Sequence, residues 1–409
     1  RQTTGLALDT ESGLRSCPLP STVRPGRGRA RHRPWFVSPC RQYCSRPTTL
    51  PTDLTDGLHG DDSRRSLRRS RAYSLNVLFV TNDRCIEHTA GEMHPESPER
   101  LAAVAAALDR ADLREAVTLV EAPLAPLELL ADVHTEGLVR LIQGVSARGG
   151  GRIDSDTVVV PASFDAARYA AGAGLESIER LRQGQADTAF CAVPPPGHHA
   201  TKAESMGFCL FNNVAVTATA LADAGERILI VDYDAHHGNG TQDIFYRDQR
   251  VMFVSFHQWP CYPGTGRIGE SGAGDAIGST VNVPLPPGAT GDVYNQAWDR
   301  HVAAQVDAFA PTWVLISAGF DAHRADPITD MGLSAGDYAL LTARILEIAP
   351  AGHRIVFLEG GYDLPALTEC AAAVMATLVD QHFDTERVTN GGPGVEIVDM
   401  AVTHFANLR

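Results

Sequence analysis

The chain has 409 residues, 44% of them hydrophobic, with 35 Lys and Arg against 49 Asp and Glu and a formal net charge of -14. That is ample apolar material for a large core and excludes a wholly disordered chain, while no apolar run reaches the roughly 18 residues that cross a bilayer, so no membrane association is expected. The eight cysteines contain no CxxC pair, which argues against zinc knuckles and a disulfide framework and predicts a reducing, cytoplasmic setting.

Residues 1–74 read as a separate piece. They hold fourteen Arg, no Lys and six Asp and Glu, a balance of +8 that leaves -22 for residues 75–409. Basic clusters at 24–33 and 64–71, many Pro and Ser, and no helical or alternating pattern predict a disordered extension. An Arg-rich start suggests an organelle transit peptide, but Asp53, Asp56, Asp61 and Asp62 interrupt it, and an upstream extension is the other reading. The acidic remainder disfavours direct nucleic-acid binding and tilts toward cationic partners such as polyamines or basic peptides, a solvated acidic surface being the ordinary alternative.

From Leu75 onward short β-rich runs alternate with amphipathic stretches. In chain order the pattern predicts a strand over 76–80, helices over 98–109 and 164–182, a strand over 188–193, a helix over 208–224 and strands over 227–232 and 251–256. A helix over 293–309, a strand over 313–317, a helix over 335–348, a strand over 354–358 and a helix over 364–379 follow. This rhythm predicts an α/β fold, a single open, mainly parallel sheet with helices on both faces.

Polar residues cluster where the predicted strands end. The run to Val193 leads into Pro194-Pro195-Pro196-Gly197-His198-His199, and that to Val231 into Asp232-Tyr233-Asp234-Ala235-His236-His237-Gly238-Asn239. The run to Ser317 leads into Ala318-Gly319-Phe320-Asp321, and that to Leu358 into Glu359-Gly360-Gly361-Tyr362. Ligands of open α/β sheets bind beyond the carboxyl ends of strands, so four predicted strands aim chemistry at one crevice.

Asp234 and His236, two apart at a strand end, point the same way if the extended geometry persists. With Asp321 they make a two-carboxylate, one-imidazole set with open positions, the arrangement a catalytic zinc needs. Taken singly each is accounted for as a helix cap or loop residue; jointly they read as a site. His198 and His199 read as a proton-transfer pair with unlike partners, Asp232 favouring an imidazolium and neutral Asn239 leaving the other ring free as a base. Tyr362 follows two glycines that allow close approach to a ligand, or is a turn tyrosine with a satisfied hydroxyl.

The segments His94-Pro95-Glu96-Ser97-Pro98-Glu99-Arg100, PPGHHA at 195–200, GFCLFNNVA at 207–215, DYDAHHGNGTQDIFY at 232–246, YPGTG at 262–266, SAGFDAHRADP at 317–327 and EGGYDL at 359–364 run in one order. In these segments, and with a resemblance that covers essentially all of residues 76–380, the chain resembles class II-type histone deacetylases, the bacterial histone deacetylase-like amidohydrolases and the acetylpolyamine amidohydrolases. The resemblance implies an arginase/deacetylase-like fold and a zinc-dependent deacetylase domain over 75–409. It implies zinc held by Asp234, His236 and Asp321, with His199 as general base, His198 paired to Asp232 as its electrostatic partner, Asn239 on His199, and Tyr362 donating to the substrate carbonyl. It makes Gly207, Phe208 and Tyr262 tunnel walls, puts Gly360 near the acyl group, Asp156 at the rim and Arg100 at the internal foot. Structural potassium is implied near Asp232, Asp234, His236, Ser255 and Phe256, with a second site at Phe245, Asp248 and Val251.

The implied reaction is hydrolysis of the amide of an N-acetylated amine, acetyl-lysine in a peptide or protein or an acetylated polyamine, with release of acetate. Polyamine-selective relatives carry a glutamate after the Asp-Pro that follows the third metal ligand. Here Ile328 follows Asp326-Pro327, which favours acetyl-lysine, although Asp330 partly replaces the missing charge. Ureohydrolases share the fold but need a further carboxylate pair for a second metal, where this chain has Gly319-Phe320-Asp321-Ala322-His323. A catalytically silent acyl-lysine binder predicts loss of a ligand, a histidine or the tyrosine, and all are present.

Overall fold

A computed structural model describes residues 75–91 and 93–408; the extension expected over 1–74 lies outside them. The strands are β1 (Val77–Thr81), β2 (Val117–Glu121), β3 (Gly151–Arg152), β4 (Val158–Val159), β5 (Thr188–Cys191), β6 (Ile228–Asp232), β7 (Val251–Gln258), β8 (Thr280–Leu285), β9 (Trp313–Ala318) and β10 (Arg354–Leu358). Eight form one parallel sheet in the order β2-β1-β5-β10-β9-β6-β7-β8, and β3 pairs with β4 as a small antiparallel ribbon. Every residue of β5, β6, β7, β8 and β9 is buried. A strand buried on both faces needs helices on both faces, and its sequence therefore reads as a continuous apolar run.

Helices Pro98–Arg110, Leu364–Leu378 and Ala335–Leu346 pack side by side, and Ser163–Arg182 packs on Asn213–Asp223. Val395–Ala406 lies against β8 at one edge. No helix among the described residues is long and apolar enough to cross a membrane, and the five cysteines among them are unpaired.

Two expected helices need correction. The one predicted over 208–224 begins at Asn213, because Gly207 and Phe208 take positive φ and Asn212 caps the helix by accepting from Ala215 N at 2.9 Å. The one predicted over 293–309 starts at Gly291 and is interrupted by a π-helical turn at Trp298–Val302. β2, β8 and the helices Glu136–Ala147, Asn239–Phe245 and Val395–Ala406 are additional to the sequence reading.

Candidate active site

The strands β5, β10, β9 and β6 are neighbours in the sheet and run in one direction, so their carboxyl ends share an edge. There the chain forms a cavity of about 220 Å³ lined by Asp156, Pro196, His198, His199, Gly207, Phe208, His236, Tyr262, Ile328, Gly360 and Tyr362.

Asp234 and His236 meet by a different route from the one their spacing predicts. β6 stops at Asp232 and the chain bends over residues 234–236. Asp234 Oδ1 accepts from His236 N at 2.8 Å, an Asx turn that folds both side chains toward one point. Asp321 arrives from the end of β9, its Oδ1 accepting from Ala235 N at 2.8 Å. His236 Nδ1 then lies 2.9 Å from Asp321 Oδ2 and 3.2 Å from Asp234 Oδ1.

These three residues are buried and their ligand atoms lie within 4.8 Å of one another. The other oxygen of Asp234 accepts from Gly360 N at 2.8 Å, and no Lys or Arg among the described residues bonds either carboxylate. Two buried carboxylates that no Lys or Arg bonds, with one imidazole between them, fit a divalent metal ion. Gly360 is obligatory beside them, since a Cβ there would sit 2.5 Å from Asp321 Oδ2 and 2.6 Å from Asp234 Oδ2.

The tandem histidines face unlike partners. His198 Nδ1 donates to Asp232 Oδ2 at 3.0 Å, and His199 Nδ1 donates to Asn239 Oδ1 at 2.7 Å. Burial works to lower the pKa of His198, but Asp234 and Asp232 outweigh it and hold the ring protonated. Burial, reinforced by His198 and His236, drives the pKa of His199 well below its ordinary value. A charged and a neutral imidazole therefore stand side by side, ring centroids 4.0 Å apart. Burial also raises the Tyr362 hydroxyl well above its usual value, with Asp321 and Asp234 adding to the effect, so it is a donor at neutral pH.

The walls are aromatic. Tyr262 stands edge-on to His199 at 5.2 Å, and Phe208 stands edge-on to Tyr362 at 5.8 Å. Gly207, at φ +55, leaves no room for a side chain, because its Cβ would lie 2.4 Å from the His199 ring. Asp156 and Ile328 sit at the rim. Arg100 does not line the cavity; it is buried behind it, paired to Glu96, donating to Gly361 O at 2.7 Å and stacked 4.8 Å over Tyr362.

The residues of the potassium expectation fall in two places. Ser255 pairs in register with Asp232, beside Phe256, and its hydroxyl bonds His257 Nδ1 at 2.9 Å. Phe245, Asp248 and Val251 form a turn in which Asp248 N donates to Phe245 O and Val251 N to Asp248 O, while the Asp248 carboxylate is engaged by Arg250.

Sequence reasoning gave no role to three carboxylates. Glu359 Oε2 accepts from Gly197 N at 2.7 Å and His198 N at 3.1 Å, fixing the histidine turn; with His198 and Cys209 it forms a second buried cluster of ligand type. Glu96 neutralises Arg100, and Asp326 reaches the backbone of Tyr362. Glu359 and Glu96 stand inside quoted motifs, but nothing in their spacing names a partner.

Residues 94–378 match the family model described as the histone deacetylase domain. A probable deacetylase of Archaeoglobus fulgidus is 40% identical over 70% of this chain and 81% of its own length. The histone deacetylase-like amidohydrolase of Pseudomonas aeruginosa is 36% identical over 72% and 79%, and the chloroplastic histone deacetylase 10 of Oryza sativa is 35% identical over 81% and 79%. Among solved structures, the HDA15 HD domain superposes with a TM-score of 0.75 at 34% identity, covering 81% of this chain and 95% of that one. A match over more than half the chain, a shared parallel sheet and relatives named deacetylase and amidohydrolase together establish that the chain belongs to the histone deacetylase family.

Proposed function

We propose that residues 75–409 are a zinc-dependent deacetylase domain that hydrolyses the amide of acetyl-lysine in a peptide or protein. The observation that carries this reading is the convergence of Asp234, His236 and Asp321 beside a charged and a neutral histidine and a protonated tyrosine, in one narrow cavity.

Zinc, when bound by these three residues, polarises a carbonyl and lowers the pKa of a water toward about 7. His199 keeps Nε2 free because its Nδ1 proton is committed to Asn239, so the neutral ring takes a proton from the attacking water. Tyr362 donates to the carbonyl oxygen as negative charge gathers there, a contribution of about 3 kcal/mol for one such donor. His198 offsets that charge from the other side, its imidazolium held by Asp232. Collapse then needs a proton on the leaving amine, which the histidine pair supplies.

Substrate choice rests on the rim. Ile328 is 37% exposed at the mouth and offers no charge to a second ammonium, which favours acetyl-lysine over an acetylated polyamine. A structural potassium ion beside Ser255 is consistent with the buried hydroxyl opposite Asp232, and the unpaired cysteines suit a reducing, cytoplasmic compartment.

The test compares an acetyl-lysine peptide with N-acetylputrescine and N8-acetylspermidine as substrates of the zinc-loaded protein, alongside Tyr362→Phe. Peptide turnover that falls roughly a hundredfold in the variant is expected. Faster polyamine turnover overturns the substrate assignment, and no turnover of either overturns the deacetylase reading.

A further inference from the structure

Tyr362 is useful only if its hydroxyl stands at the right height in the cavity, and its ring contacts do not set that height. Phe208 touches it edge-on, and Arg100 covers one face. Both contacts tolerate sliding in the ring plane. The residue also follows Gly360 and Gly361, the second at φ +117, a stretch with little intrinsic stiffness.

The peptide that carries Tyr362 is held at its carbonyl by Arg100, which donates to Gly361 O at 2.7 Å, and at its N–H by Asp326. Its Oδ2 accepts from Tyr362 N at 2.7 Å and its Oδ1 from Ile328 N at 3.0 Å, and it is only 7% exposed. One carboxylate thus clasps the loop after β9 to the loop after β10. The clasp is anchored in turn: Phe320 N donates to Gly360 O at 3.0 Å, Thr329 Oγ1 donates to the main-chain oxygen of Asp321, and Asp330 N donates to Gln258 Oε1 at 2.8 Å. Burying a carboxyl group is costly unless it is bonded. A side chain needed merely to fill this space would not carry that cost.

We propose that Asp326 is a positioning residue that sets the oxyanion donor Tyr362 through its backbone on one side and the rim residue Ile328 on the other. The proposal rests on the role assigned above to Tyr362. Asparagine at 326 accepts through one oxygen and turns its NH2 toward a second N–H donor, so Asp326→Asn breaks one of the two bonds and leaves the volume unchanged.

The experiment is a double-mutant cycle on the zinc-loaded protein with an acetyl-lysine peptide: wild type, Asp326→Asn, Tyr362→Phe and both together, with kcat, KM, zinc content and melting temperature measured for each. A misplacement near 1 Å can cost up to about a hundredfold, so Asp326→Asn is expected to lose tenfold or more in kcat with KM within twofold and zinc retained. In the Tyr362→Phe background the same substitution is expected to cost less than twofold. Losses that multiply, or no loss in kcat, overturn the proposal. If Tyr362→Phe itself changes nothing, the role of Tyr362 fails instead, which separates the two readings. Should Asp326→Asn fold poorly, Asp326→Glu, which keeps the carboxyl group on a longer arm, runs the same cycle with the same two outcomes.

Discussion

The base and the rim of the cavity are built on opposite plans. At the base, Asp232, Asp234, Asp321 and Glu359 are 0% exposed, come from the ends of adjacent strands, and accept main-chain or imidazole N–H bonds. At the rim, Tyr262 and Ile328 are 38% and 37% exposed and stand farther along the loops that follow β7 and β9, four and ten residues past the strand ends. The rim is tied to the rest of the fold by bonds such as that of His94 Nε2 to the main-chain oxygen of Asp156 at 2.9 Å and that of Asp330 N to Gln258 Oε1 at 2.8 Å. A base of buried charge fixes which reaction is possible and tolerates no substitution; a rim of exposed side chains fixes what enters and can be changed without loss of the fold.

The strongest attempt to break that comparison removes a base carboxylate. Asp321→Ala deletes one ligand atom of the cluster, and metal stabilisation of transition-state charge amounts to several kcal/mol. We expect zinc content measured by mass spectrometry to fall well below one per chain and kcat to drop at least about a thousandfold. Retention of both would show that the cluster is not the metal site.

Next in size is the ion pair behind the base. Glu96 and Arg100 are 2% and 1% exposed and bonded to each other. Glu96→Gln leaves a guanidinium buried with main-chain oxygens as its partners, a defect worth about 3–5 kcal/mol of stability. Urea unfolding reads this directly. A loss under about 1 kcal/mol would show that the carbonyls of Gly361 and Glu359 suffice for Arg100.

At the rim the expected effect is smaller and of another kind. Ile328→Glu adds a carboxylate at the mouth, where an exposed pair is worth up to about 1 kcal/mol. The ratio of kcat/KM for N8-acetylspermidine to that for the peptide should rise roughly fivefold, weakening with salt, while the melting temperature stays put. A change in stability would show the rim to be part of the scaffold after all.

The same division explains what the sequence could reveal. The clusters after Val193, Val231, Ser317 and Leu358 are legible because parallel strands place their carboxyl ends together whatever the helices do. β8 was missed because Pro284 argues against a strand, and the structure tolerates it because β8 is the sheet edge, paired on one side only with β7. β2 was missed because three of its five residues are exposed and apolar periodicity is absent. Asp326 and Glu359 were legible as residues but not as partners, since both act on backbone N–H groups, which no side-chain pattern announces.

His134 tests how far the rigidity of the base extends. It is buried beneath the loop that carries Gly207 and Phe208; its Nδ1 donates to Thr201 O at 2.8 Å, and its Nε2 accepts from Asn212 N at 2.9 Å. Asn212 also caps the helix at 213 and donates to Ala200 O and Thr241 Oγ1, next to His198 and His199. Protonation would put a donor against the Asn212 N–H. Burial accordingly lowers the pKa of His134 from 6.5 to about 4, the bond to Thr201 offsetting only part of the shift. Between pH 6.5 and 4 the unfolded chain binds a proton that the folded chain refuses, so this stability is whole above pH 6.5 and is lost as pH falls toward 4. From pH 7 to 5.5 the wild type should lose about 1 kcal/mol more than His134→Gln, which cannot titrate. Parallel unfolding free energies for the two proteins across that range would mean that the bonds of His134 rearrange freely, and that the rigid base ends at the strand termini rather than reaching into the loop that carries the tunnel wall.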